Sequence, residues 1–196
     1  SCEVEEDCGG TEDDTDFCVP NKFPKGIQAS LNDQFEDKDF VVKKPVNLCA
    51  PADKNDEGIN DPDTHLKGYL IKEVPNSCSA DAPNNAKRVC ATEEDCGGVT
   101  GSTTFCQATP KHVKQTNVKV RNQFHPEGSE LVVDTIKPDR LLVPTAKCID
   151  DPLGSCPDPV PAPDPDSHNV DHYKCYKVKV SKGQPKFVPI LGVKVD

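Results

Sequence analysis

The chain has 196 residues, of which 34% are apolar and 5% aromatic, with 19 Pro and 12 Gly. This composition excludes one large hydrophobic core and predicts small units separated by many turns. A net charge of −10 disfavours nucleic acid and anionic membranes as partners. No apolar run approaches the roughly 18 to 20 residues that cross a bilayer, so we expect no membrane insertion.

The chain contains no Met and opens without a basic-then-apolar leader, so Ser1 is expected to follow a processing cut. Eleven cysteines without one C-x-x-C pair predict disulfides in an oxidising compartment rather than zinc ligation. We therefore expect a secreted protein, extracellular or at the cell surface. The disulfide candidates are Cys2, Cys8, Cys18, Cys49, Cys78, Cys90, Cys96, Cys106, Cys148, Cys156 and Cys175.

Two cysteine cassettes open the two halves of the chain. Cassette A (residues 1–19) contains "SCEVEEDCGGTEDDTDFC", and cassette B (residues 76–109) contains "VCATEEDCGGVTGSTTFC". The spacing C-x5-C-x9-C and the core "EEDCGG" recur in both. Cassette B has four cysteines, enough for two internal bridges, and a local loop can close between Cys148 and Cys156.

A strand-rich repeat follows each cassette, repeat A at residues 20–75 and repeat B at 110–180. "VVKKPVNLCAP" corresponds to "VVDTIKPDRLLVP", and "HLKGYLIK" corresponds to "HYKCYKVK". Alternation such as Val118, Lys119, Val120 has the period of a half-buried strand. We therefore expect an all-β fold of two tandem, small sandwich-like or barrel-like repeats with disulfide-rich cassettes. The proline-rich stretch 157–167 is expected to be a stiff linker.

Residues 181–196, "SKGQPKFVPILGVKVD", resemble the first strand of each repeat and predict the trailing strand of an incomplete third repeat. An unpaired strand of this kind needs a cover, and a neighbouring copy of the same sheet is one. Cys49 and Cys175 have Leu142 and Gly68 as their repeat counterparts, so each lacks a mate in its own repeat. They could bond within one chain or between two chains, and the spacing does not decide which.

These motifs resemble tandem repeats in large, functionally uncharacterised secreted proteins of environmental bacteria. The resemblance rests on "DHYKCYKVKVSKGQPKF", "DQF", "VKKPVNLCAPADKN" and "HLKGYLIK", with "EEDCGG" similar to short disulfide cassettes between such repeats. It implies that the counterparts of Cys175 and Cys49 belong to the same repeat. It implies no chemical activity.

Candidate sites for chemistry are few. A weak calcium loop is suggested by Asp53, Asn55, Glu57 and Asp61, but Thr64 stands where the chelating Glu is needed, so an acidic turn is favoured. The carboxylates of the "EEDC" motifs are expected to be surface turns, and the five histidines to pack at strand ends or in the core. We find no nucleophile or phosphate motif, and expect neither an enzyme nor a cofactor beyond this calcium candidate.

The leading functional hypothesis is a structural subunit of an extracellular filament. Each copy would donate its C-terminal strand to the incomplete β domain of the next, with a disulfide as a lock. The alternative is a monomeric adhesin or binding module whose repeats act as spacers. Residues expected at the joint are Tyr176, Val178, Phe187, Val188, Ile190, Leu191, Val193 and Val195 on the donor side, and Phe35, Phe40, Val41 and Val42 on the acceptor side.

Overall fold

The fold comes from a computed structural model. It describes residues 23–53, 57–84, 89–122, 124–125, 127–148, 155–157, 160–164, 170–185 and 188. Cassette A lies outside these ranges. So do most residues of the expected trailing strand beyond position 185.

Antiparallel strands make up the described fold, which confirms the all-β class. In chain order they are β1 (Gln28–Asn32), β2 (Asp37–Cys49), β3 (His65–Glu73), β4 (Asn76–Cys78), β5 (Cys106–Ala108), β6 (Val118–Val120), β7 (Leu131–Thr145) and β8 (Tyr173–Val180). β1 to β3 and β6 to β8 form one six-stranded sheet, and β4 pairs with β5 in a second sheet. Across the described ranges, no helix is long and apolar enough to cross a membrane.

The large sheet contains two three-stranded meanders. In the first, β1 pairs with β2 and β2 with β3; in the second, β6 pairs with β7 and β7 with β8. A residue with positive φ comes shortly before the first strand of each, Gly26 at 82° and Asn117 at 58°. The meanders correspond to repeats A and B of the sequence.

Equivalent prolines interrupt the long strand of both meanders. Pro45 lies opposite Tyr69, and Pro138 lies opposite Tyr176, with a register shift on one or both sides of each proline. Proline has no N–H to donate to a ladder, so within a sheet it is tolerated at bulges. The two meanders therefore share the same pairing register around the proline.

The repeats do not form two separate units. β3 of the first meander pairs with β7 of the second, from His65 opposite Thr145 to Leu70 opposite Arg140. The core is also shared, since Phe40, Ile71 and Leu141 form one buried cluster. The expectation of two separate sandwich-like repeats is corrected in this respect, because their strands share one sheet and one core cluster.

Cassette B has a small core of its own. Cys78 bonds to Cys96 and Cys90 to Cys106, with Cα–Cα distances of 5.4 and 5.9 Å. The side chain of Glu93 is buried among them and accepts backbone N–H groups from Phe105 (2.6 Å) and Cys106 (2.8 Å). Disulfides substitute here for a hydrophobic core that so short a segment cannot build.

Candidate self-association site

The pairing between β3 and β7 is the junction that joins the two repeats. Leu142 of β7 lies opposite Gly68 on one edge and opposite Tyr173 of β8 on the other. β7 is therefore paired on both edges over this stretch. The strands approach closely, because a Cβ atom on Gly68 would lie 3.2 Å from both Leu142 Cδ2 and Asn47 Cβ.

The repeat equivalence predicts where a second junction of this kind would form. β8 is the counterpart of β3, and β2 is the counterpart of β7. Among the described residues, the edge of β8 that faces away from β7 has no strand partner, and neither does the edge of β2 near Asn47 that faces away from β3. These two open edges are the counterparts of the edges that meet in the β3–β7 junction.

Both open edges expose apolar side chains. Leu48 on β2 is 51% exposed, and Tyr173 on β8 is 49% exposed. An open sheet edge with exposed apolar groups is a template for adding another strand. The edges of β2 and β8 are therefore the candidate site for self-association.

The two edges lie near each other in one chain. A groove of about 390 Å³ is lined by β2 residues and the loop that follows, including Cys49 and Ala52, and also by Val170 just before β8. Burial raises the pKa of the Cys175 thiol, and the nearby Cys49 adds to this rise. Neither cysteine is bonded.

A buried polar cluster lies beneath β8. The Tyr176 hydroxyl donates to a carboxylate, 2.7 Å from Asp33 Oδ2 and 3.2 Å from Glu36 Oε1. Lys174 Nζ lies 3.1 Å from Asp33 Oδ2, with its side chain 4% exposed. His112 Nδ1 lies 2.9 Å from Glu36 Oε2, so this nitrogen carries the proton that the carboxylate accepts. The cluster ties the β1–β2 turn of one repeat to β8 of the other.

Hydrogen bonds to Asp33 and Glu36 outweigh the effect of burial and keep both carboxylates ionised. Burial raises the pKa of Glu36, but hydrogen bonds from His112 and Lys38 outweigh it, and the net pKa lies below its usual value. Burial likewise raises the pKa of Asp33, but hydrogen bonds from Tyr176 and other donors leave it lowered. Burial and these two carboxylates raise the pKa of Tyr176 far above its ordinary value. Tyr176 thus stays a hydrogen-bond donor at any physiological pH.

His112 also reaches a hydroxyl, since its Nε2 lies 2.9 Å from Thr135 Oγ1. Hydroxyl, imidazole and carboxylate stand in the order of a catalytic triad, but Thr135 is 3% exposed and no substrate can reach it. The side chains of His112 and Glu36 are equally shielded, 3% and 7% exposed. The arrangement therefore stabilises the fold.

The structure brings some of the expected joint residues together within one chain. Phe35 stacks edge-on against Tyr176, with ring centroids 5.3 Å apart. Phe40 and Val42 are buried, and Val41 is half-buried opposite Gln28 of β1. The expected acceptor is thus occupied by the chain itself, and the open edge of β2 lies further along, near Asn47.

The expected donor residues are only partly described. Val178 is 51% exposed on β8, and Val188 is 75% exposed. The others lie outside the described residues: Phe187, Ile190, Leu191, Val193 and Val195.

The acidic loop after β2 behaves as a series of turns. Asp53 Oδ1 accepts the N–H of Gly58 at 3.2 Å, and Asp61 Oδ1 accepts the N–H of Thr64 at 2.9 Å. Glu57 is exposed, and Asn55 lies outside the described residues. The two aspartates use carboxylate oxygens to close the backbone, which fits the favoured interpretation as a turn.

The carboxylates and histidines have structural partners. Glu94 and Asp95 are exposed as expected, but Glu93 is buried and holds the cassette together, which the sequence analysis did not foresee. His65 is buried at the start of β3, with Nδ1 3.1 Å from the carbonyl oxygen of Asp63. The cluster around Glu36 and Lys174 was not predicted, because charged residues scattered along a sequence usually lie at the surface.

Comparisons with known proteins add no relative. No protein-family model matches the sequence, and no significant similarity to a curated protein or to a solved structure was found.

Proposed function

We propose that this protein is a structural, non-catalytic subunit of an extracellular filament, and that copies join head to tail by pairing β8 of one molecule with β2 of the next. The observation that carries the proposal is the pair of open edges on β8 and β2, which are the counterparts of two edges already joined between β3 and β7. A contact of this kind uses two different surfaces. It propagates as a filament unless it closes into a ring.

Secretion is supported by the disulfides. The bridges Cys78–Cys96, Cys90–Cys106 and Cys148–Cys156 are typical of proteins that fold in an oxidising compartment. The small core of cassette B is stabilised by the first two of these bridges, a durable arrangement for material outside the cell.

The test is self-association of protein refolded from the reduced, unfolded chain at high concentration, followed by sedimentation velocity. We expect a ladder of oligomers. Leu48→Lys places a charge on the open edge of β2 and should weaken association by about tenfold or more, because an unpaired charge at a buried contact costs over about 1.4 kcal/mol. The matched control is Val99→Lys, since Val99 is 73% exposed and belongs to cassette B rather than to β2 or β8.

Equal association of the two variants would contradict the proposed joint. So would a single monomer peak for the unmodified protein at every concentration.

A second candidate is a monomeric extracellular binding module or spacer. It is favoured by the groove that Cys49, at the end of β2, and Val170, three residues before β8, line together within one chain. A chain in which β8 and β2 pair with each other would have neither edge available for pairing with a second copy.

A further inference from the structure

The open edges carry the two unbonded cysteines of the described chain at corresponding positions. Gly68 lies opposite Leu142 in the β3–β7 junction. The counterpart of Gly68 on β8 is Cys175, and the counterpart of Leu142 on β2 is Cys49. A β8–β2 junction with the same register therefore sets Cys175 directly opposite Cys49.

The same equivalence between the repeats assigns the other pairs of the β8–β2 junction. The pair His65 and Thr145 corresponds to His172 and Ala52, and the pair Leu70 and Arg140 corresponds to Lys177 and Asn47. The equivalence is supported by structure as well as by sequence, because both meanders place proline opposite tyrosine with register shifts beside it.

We propose that Cys49 and Cys175 of one chain form a disulfide in this register, which closes the sheet on itself and acts as a latch that keeps the molecule monomeric. Its role as a latch rests on the proposed head-to-tail assembly. The bond itself does not depend on that proposal.

Geometry permits the bond. Residues directly opposite each other in antiparallel strands have Cα atoms roughly 4.5 to 5.5 Å apart, within the usual range for disulfides. At the template junction, the strands are close enough that a Cβ on Gly68 would touch the side chain of Leu142. The atom that such a Cβ would touch, Leu142 Cδ2, has no counterpart in cysteine, so a cysteine opposite leaves room for the added Cβ and Sγ.

Both cysteines are positioned for closure within one chain. Val170, five positions before Cys175, already lines a groove with Cys49 and the residues that follow it. The polar cluster holds β8 over the β1–β2 turn, through Lys174 and Tyr176 on Asp33. The effective concentration of the two thiols within one chain is therefore high.

The bond forms by exchange with an external disulfide donor, such as oxidised glutathione or an oxidising thiol protein of the export pathway. Cys49 is exposed, so its thiolate attacks the donor and releases one donor thiol. The Cys175 thiolate then attacks Cys49 Sγ in the mixed disulfide and releases the second donor thiol. Two protein thiols are oxidised, the donor disulfide is reduced to two thiols, and no other oxidant is needed.

Closure covers both open edges at once. A chain with the latch made offers neither the β8 edge nor the β2 edge to a neighbour, whereas a chain without it exposes both. The exchange of this contact between copies is domain swapping, in which one contact serves within or between molecules.

The first test is peptide mapping of monomer purified without reductant and alkylated with iodoacetamide before digestion. We expect one linked peptide pair containing Cys49 and Cys175, with neither thiol alkylated. The Cys148–Cys156 bridge is the internal control for intact disulfides. In the variant Cys49→Ser, Cys175 should become fully alkylated. A free thiol at Cys49 or Cys175 in the monomer, or a bond from either of them to Cys2, Cys8 or Cys18, would overturn the proposal.

The second test addresses register. In a chain carrying Cys49→Ser and Cys175→Ser, the added pair Asn47→Cys and Lys177→Cys should form a new bond, because these positions lie opposite each other in the inferred junction. The control pair Asn47→Cys and Lys179→Cys is shifted by two residues and should leave both thiols free. A bond in the shifted pair alone would overturn the register.

Assembly is measured separately, by sedimentation velocity of the variant Cys49→Ser, Cys175→Ser. This variant should associate at a lower concentration than the protein with the Cys49–Cys175 bond. If the bond is mapped but this variant remains monomeric, the latch chemistry stands and the proposed filament fails. A covalent dimer linked through Cys49 and Cys175 in protein purified natively, without unfolding and refolding, would overturn the single-chain latch while supporting the filament.

Discussion

The hydroxyl of Tyr176 illustrates how single residues hold the two repeats together. It donates towards two carboxylates, those of Asp33 and Glu36, which come from the other repeat. A buried carboxylate that loses a donor keeps its desolvation cost, so such contacts are expensive to remove.

Tyr176→Phe should therefore lower the free energy of unfolding by about 1 to 3 kcal/mol. Urea titration followed by circular dichroism measures this. Tyr173→Phe is the matched control on the same strand, since Tyr173 is 49% exposed, and it should change stability by less than about 0.5 kcal/mol. Equal effects of the two substitutions would show that the Tyr176 hydrogen bonds contribute nothing.

Asp134 gives a prediction for acid stability. Its Oδ1 accepts hydrogen bonds from Ser181 Oγ (2.6 Å) and from the N–H of Asn117 (3.1 Å). The bond from Ser181, with that from Asn117, lowers the pKa of Asp134 from 3.8 to about 2. A lowered pKa means that this contribution is complete above pH 3.8 and is lost as the pH falls towards 2.

Asp134→Asn should remove this part of the acid dependence. The stability difference between the two proteins should be largest near neutral pH and shrink between about pH 4 and pH 2, as measured by urea titrations across that range. A difference that stays constant with pH would contradict the role of the charge.

At the scale of elements, a disulfide can be engineered between β3 and β7 at the positions that correspond to Cys175 and Cys49. The double substitution Gly68→Cys and Leu142→Cys should form a disulfide, because the two positions lie directly opposite each other. Mass spectrometry after alkylation detects it. The control pair Gly68→Cys and Val143→Cys should remain reduced, since adjacent strand residues point to opposite faces. Two free thiols in the first pair would contradict the equivalence of the junctions.

The strands were readable from the sequence, because period-two alternation is a local signal. The sequence also aligned Lys44-Pro45 with Lys137-Pro138, and in the structure each proline lies opposite a tyrosine. The sharing of one sheet was not readable. It depends on β3 pairing with β7, a long-range choice that no local pattern of His65 to Glu73 expresses.

The polar cluster was hidden for a related reason. Asp33, Glu36, Lys174 and His112 each look like surface residues in sequence, and only the fold of β8 over the β1–β2 turn buries them together. Glu93 is a similar case, since its burial follows from backbone donors in cassette B. Buried charge of this kind requires partners that come from distant parts of the chain.

For the whole molecule, the proposed assembly depends on a contact that one chain can satisfy alone or share with a neighbour. A dilute chain should close on itself, whereas crowded chains should exchange β8, because the two routes compete through effective concentration. In this proposal, the protein is a monomer when β8 and β2 pair within one chain and a filament when they pair between chains.

Co-refolding of equal amounts of ¹⁵N-labelled and unlabelled protein at high concentration, with analysis of the Cys49–Cys175 peptide pair, tests this most directly. In the assembled fraction, about half of the linked pairs should combine a labelled with an unlabelled peptide, as random pairing between copies requires, while the monomer fraction should contain only unmixed pairs. An assembled fraction with only unmixed pairs, or no assembled fraction at all, would contradict the exchange of β8 between molecules.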